Sequence, residues 1–271
     1  MKLKKPEIFN MAEKGGERGI IKQLLVFLWI FIVANILASL PSIVYEVVQI
    51  ANGSLTAESI TPELMTTSGA ESRIWILLSL FGTLLGSIYV IRRAIKKENR
   101  TLESFGFRGK TAFKEYIIGM VLSFIMISLV VVINLITGSM TINVASDIAI
   151  IYIILYFLGF FFQGAFEEIL LRGYLMVNLG AKYSVPVAII ISSLVFAIMH
   201  GANPGIGIIA LINLLLIAVF YALYMICFDN IWGACAMHSV WNFLQGCFYG
   251  IQVSGMEIID TFFVCPAVPG K

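Results

Sequence analysis

Residues 148–172 read IAIIYIILYFLGFFFQGAFEEILLR. The first part, 148–166, is an apolar run within the roughly 17 to 25 residues that a membrane-crossing helix needs. It ends on two adjacent carboxylates, Glu167 and Glu168, with Arg172 four residues on. Inserting Asp, Lys or Arg at bilayer depth costs at least about 2.5 to 3.5 kcal/mol, and ionisable groups placed there are functional candidates by default. Polar chemistry inside an apolar helix is therefore the feature to explain.

The rest of the chain has the same character. It is 59% hydrophobic and 13% charged, with a mean hydropathy of +0.94, whereas soluble domains carry about 25% charged residues. Further apolar runs fall at 24–48, 74–91, 116–137, 185–200, 206–228 and 231–249. Together they predict an all-α, polytopic helical membrane bundle of about seven transmembrane helices. The run at 24–48 follows a long polar lead and has no A-x-A cleavage site, so it reads as a retained first helix and not as a signal peptide.

Charge sets the expected topology. Of the 18 Lys and Arg residues, six lie in 1–23 and eight in 92–114, while the 46–72 loop has none and carries Glu46, Glu58, Glu63 and Glu71. The positive-inside rule then puts the N-terminus on the cytoplasmic side. Four parts are expected: a basic cytoplasmic N-terminus (1–23), N-terminal membrane helices with a basic loop (24–115), a membrane core (116–255) and a short C-terminal tail (256–271). The lipid bilayer is an expected partner and nucleic acid is not, since no basic recognition motif is present. The four cysteines lack C-x-x-C spacing and read as buried, inert thiols.

The chain's two histidines, His200 and His238, both lie in apolar segments. Glu168 and Arg172 stand i,i+4 with the acid N-terminal, the favourable order for an ion pair, and Glu167 points about 100° away. This leaves Glu167 free for another partner. Counted from a turn between Tyr183 and Ser184, Glu167 and His200 are each about 16 residues away, or about 25 Å at 1.5 Å per residue. A hairpin there sets the carboxylate and the imidazole at one depth. His238 and Asn242, again i,i+4, supply N–H donors suited to a developing oxyanion. The structural readings are an ion pair holding helices together for Glu168 with Arg172 and interhelical hydrogen bonding for His238 with Asn242.

E-E-x-x-x-R at 167–172, F-x-x-x-H at 196–200 and H-x-x-x-N at 238–242, in this order, resemble the motifs of the CAAX protease and bacteriocin-processing family, the type II CAAX prenyl endopeptidases. The resemblance covers roughly residues 115–255. It implies a helical bundle enclosing a polar intramembrane cavity, and metal-independent intramembrane endoproteolysis of a peptide or protein substrate, one that can itself be membrane-associated, in a prokaryotic cell membrane. Glu167 and His200 would activate a water, His238 and Asn242 would stabilise the oxyanion, and Glu168 and Arg172 would support them. Relatives commonly add an apolar helix after the H-x-x-x-N segment; here the stretch after Gly250 is short and holds Glu257 and Asp260, so that helix is expected to be truncated or absent.

Other functions use the same groups. Glu167, His200 and His238 could hold Zn²⁺ with a position open for water, although neither H-E-x-x-H nor its inverse is present. A non-catalytic bacteriocin-immunity or regulatory protein would keep the motifs without hydrolysis. A proton-coupled transporter would also use Glu and His, but inverted repeats and mid-helix breaks would be expected of it.

Overall fold

The computed structural model describes residues 5–12, 17–54, 70–203 and 206–268. Lys2, Lys4, Lys14, Glu58 and Glu63, which enter the charge argument, and Pro204 and Gly205, which follow the histidine helix, lie outside the described residues. The helices are α1 (Glu7–Asn10), α2 (Ile20–Ala51), α3 (Ala70–Glu98), α4 (Ala112–Ile136), α5 (Ile150–Lys182), α6 (Val185–His200), α7 (Ile208–Phe228) and α8 (Trp232–Phe243). Two-residue strands β1 (Asn143–Val144) and β2 (Phe263–Val264) pair antiparallel.

Five of these helices, α2, α3, α4, α5 and α7, are long and apolar enough to cross a membrane, and α6 is a shorter apolar helix. Their outward faces carry large apolar side chains, such as Phe113 and Ile136 at 81% exposure. That is the surface of a protein solvated by lipid, an all-α membrane bundle. The run at 231–249 behaves differently. Here α8 continues as a π-helical turn over Leu244–Phe248, and Gly233 through Val240 are all buried. A helix that is hydrophobic on every side is a core element, so this one is apolar because other helices surround it.

Small residues set the helix contacts, as expected where lipid removes the hydrophobic drive between helices. A Cβ on Gly82 or Gly86 of α3 would strike the carbonyls of Ala38 and Ala34 of α2, and one on Gly119 of α4 would strike the Gly233 carbonyl of α8. On α5, a Cβ at Gly164 would lie 2.6 Å from the backbone nitrogen of Ser239 in α8.

The apolar run at 148–166 is only the first half of a longer element. Helix α5 is α-helical to Glu168, π-helical over Ile169–Met176 and α-helical again over Val177–Lys182, with every residue of the π stretch buried. The polar residues that end the apolar run do not end the helix, because they are paired inside the bundle. After Tyr183 and Ser184 the chain reverses into α6, with Pro186 in its first turn, a position that suits its fixed φ.

At the end of the bundle where Lys and Arg gather, a buried carboxylate ties three elements together. Glu98 Oε1 accepts from Arg18 Nη1 at 2.9 Å, Arg93 Nη1 at 2.8 Å and Tyr174 Oη at 2.7 Å. Beside it Arg100 donates to the Ser104 and Gly173 carbonyls, and burial pushes its guanidinium down to about 10. Ile8 and Phe9 of α1 are fully buried, and the Phe9 ring lies against Gly180 at the end of α5.

At the opposite end, residues 251–268 form a strap where a further helix is absent. Asn143 pairs with Val264 and Val144 with Phe263, and Met140 bridges to Ala267. Arg73 clasps Asp260 with two hydrogen bonds of 2.7 and 2.9 Å. Glu46, expected in a loop, lies inside α2 and accepts from Trp75 Nε1 at 2.6 Å. Of the cysteines, Cys235, Cys247 and Cys265 are buried, but Cys227 is exposed on α7, which corrects its reading as a buried thiol.

Candidate active site

Helices α5, α6 and α8 bring Glu167, His200, His238 and Asn242 together. Glu167 Oε2 stands 3.7 Å from His200 Nε2 and 3.7 Å from His238 Nε2. The equal spacing of Glu167 and His200 from the α5–α6 turn thus sets them at one depth. Glu167 Oε2 is buried without a hydrogen-bond partner, and a gap of 3.7 Å is too long for a direct bond. A carboxylate oxygen and a ring nitrogen so placed are suited to share one water.

The remaining bonds fix the tautomers. His200 Nδ1 lies 2.9 Å from the Phe196 carbonyl, which can only accept, so Nδ1 carries hydrogen and neutral His200 presents the Nε2 lone pair to the site. The four-residue spacing also stacks the Phe196 ring beside the imidazole, with 4.4 Å between ring centres. His238 Nδ1 lies 2.8 Å from Glu168 Oε1 and likewise donates. Its Nε2 can donate as well only when the ring is an imidazolium.

Glu168 and Arg172 form the expected ion pair at 2.8 Å, both fully buried. Arg172 also donates to the Ala218 carbonyl at 3.0 Å and lies 4.8 Å from the centre of the Phe196 ring. Glu168 is more than half of a pair, however, since the same oxygen receives His238. The two acids are divided between supporting the imidazole and facing the cavity.

The cavity has a volume of about 250 Å³. Glu167, His200 and Asn242 line it, with Asn35 of α2 and with Ser254 and Met256 of the strap. His238 stands behind Glu167, off the cavity wall and packed between the rings of Phe196 and Tyr221 at 5.8 and 5.7 Å. That differs from an expectation of two donors side by side. The i,i+4 spacing aligns His238 with Asn242 along α8, but they sit at different distances from the open space.

One residue was not singled out from sequence. Gln163, one turn before Glu167, donates from Nε2 to Glu167 Oε1 and accepts from Asn242 Nδ2 at 2.9 Å. Its signal was an amide at i−4 in an otherwise apolar run, where Gln and an acid on one helix face can bond. Among the described residues no group of three or more His, Cys, Asp and Glu is arranged to hold a metal ion.

A lipid-solvated helical bundle with a carboxylate, two imidazoles and an amide gathered beside one cavity defines an integral membrane protein with a polar site among its helices. The model of the Rce1-like type II CAAX prenyl endopeptidase family matches residues 148–244, the segment holding all of these groups. Over this segment, about a third of its length, the chain is similar to that family of membrane proteases. No curated protein and no solved structure matches the chain.

Proposed function

We propose that the protein is an intramembrane endopeptidase that hydrolyses peptide bonds with a water activated by Glu167 and His200. The observation that carries this reading is the partnerless Glu167 Oε2 facing the two Nε2 atoms at 3.7 Å. A water donating to Glu167 Oε2 and His200 Nε2 would lose its proton to Glu167 as its oxygen attacks the scissile carbonyl. The tetrahedral oxyanion would meet an Asn242 N–H, with His238 Nε2 as the second group beside Glu167. Collapse breaks the C–N bond, and the proton held by Glu167 passes to the leaving amine. Such oxyanion donors are worth about 10² to 10³ in turnover each.

The substrate is a peptide or protein segment, and the N-terminus with the basic end of the bundle lies on the cytoplasmic side by the positive-inside rule. The strap then lies on the far side.

One observation favours a second reading. Both imidazoles give their Nδ1 hydrogen to an acceptor and turn Nε2 toward Glu167, which is how metal-binding histidines are held. As they stand Glu167, His200 and His238 are not arranged around an ion; zinc at about 2.0 to 2.1 Å from each atom would require the 3.7 Å gaps to close, and these residues would then hold it and let it acidify a water.

Cleavage of a quenched fluorescent peptide library by detergent-purified protein tests both. Chelator-resistant cleavage that disappears in Glu167→Gln supports the glutamate enzyme. Chelator-sensitive cleavage restored by zinc supports the metal reading. A folded wild type that cleaves nothing counts against both and in favour of a binding role.

A further inference from the structure

Gln163 joins the two halves of the site. It lies on α5 one turn from Glu167, faces α8, and bonds to Asn242 on one side and Glu167 on the other. The direction of this chain of bonds follows from charge. An ionised carboxylate only accepts, so Gln163 must turn its NH₂ to Glu167; its carbonyl oxygen then faces Asn242, which must answer with its own NH₂. The orientation of both amides is thus set by the carboxylate.

Two consequences bear on the reaction. Glu167 Oε1 is occupied by Gln163, so a proton taken from water goes to Oε2, the oxygen beside His200 and His238. Asn242 spends one Nδ2 hydrogen on Gln163 and keeps the other on the same nitrogen, on a side chain that lines the cavity. We propose that Gln163 is a positioning residue of this site: it selects the carboxylate oxygen that acts as base and turns the Asn242 amide so that an N–H meets the oxyanion. This rests on the endopeptidase reading given above.

Gln163→Met keeps length and volume and removes both hydrogen bonds. Misplacing reacting groups by about 1 Å can cost about 10²-fold, so kcat is expected to fall about 10²-fold while KM stays within about twofold. Gln163→Glu keeps an acceptor for Asn242 but cannot donate to Glu167 when ionised, and is expected to be no better than Gln163→Met. The second readout does not need turnover. The infrared carboxylate band of Glu167, assigned by its loss in Glu167→Gln, is expected to shift in Gln163→Met because one oxygen has lost its donor. Wild-type kcat in Gln163→Met, or an unmoved band, would overturn the proposal. A wild type without turnover, or a Glu167→Gln variant that retains it, would instead overturn the endopeptidase reading and with it the role in catalysis, while the band still decides whether Gln163 holds Glu167.

Discussion

His238 gives its Nδ1 hydrogen to Glu168 across 2.8 Å, which leaves Nε2 as its only means of acting on the reacting centre. That atom stands 3.7 Å from Glu167 Oε2. His238→Ala is expected to lower kcat about 10²- to 10³-fold, the cost of one oxyanion donor, and His238→Gln, which keeps an amide N–H, to recover part of that loss. Single-turnover rates of both variants against wild type check this, and an unchanged rate in His238→Ala would mean that His238 does not act on the reacting centre.

Arg172 is fully buried against Glu168 and the rings of Phe196 and Tyr221. Removing one partner of a buried pair costs about 3 to 5 kcal/mol because the other charge is stranded. Arg172→Met is expected to lose most folded protein, and Glu168→Gln with Arg172→Met to recover much of the thermal stability. Turnover should stay low in the double variant, since His238 has lost its carboxylate.

Gly164 lets α5 meet α8 at the backbone of Ser239, three residues before Asn242. Gly164→Ala is expected to wedge the two helices apart and reduce turnover by about 10²-fold, the scale of a 1 Å misplacement. Circular dichroism should show unchanged helix content. Wild-type turnover in this variant would mean that the α5–α8 spacing does not set the site.

The strap that lines the cavity with Ser254 and Met256 is clasped by Arg73 and Asp260. Hydrogen bonds to charged groups contribute about 1.5 to 3 kcal/mol each, so Asp260→Ala should loosen residues 251–268 before it unfolds the bundle. Limited proteolysis should cut the strap early in this variant, with the helices after α2 surviving as a core.

The sequence disclosed the site where it depended on local counting. Glu168 with Arg172 follows from helical spacing, and the match of Glu167 to His200 follows from equal lengths on two sides of a turn. What depended on partners distant in sequence stayed hidden. Gln163 resembles any polar interruption of an apolar run until Asn242 is brought beside it by α8. His238 resembles a simple donor until Glu168 takes its Nδ1 hydrogen. The length of α5 was also hidden, because hydropathy falls at Glu167 while the neutralising contacts that let the helix continue are tertiary.

The π-helical stretch Ile169–Met176 lies between Glu167 at the cavity and Asn178, whose amide reaches Glu98. Its wider i→i+5 turns take up extra chain within the helix. The same number of residues wound with i→i+4 bonds would turn everything beyond the stretch by about one residue's 100° and swing Asn178 off Glu98 while Glu167 kept its place. The stretch thus works as a phase shift that lets one helix serve the anchor at one end and the cavity at the other.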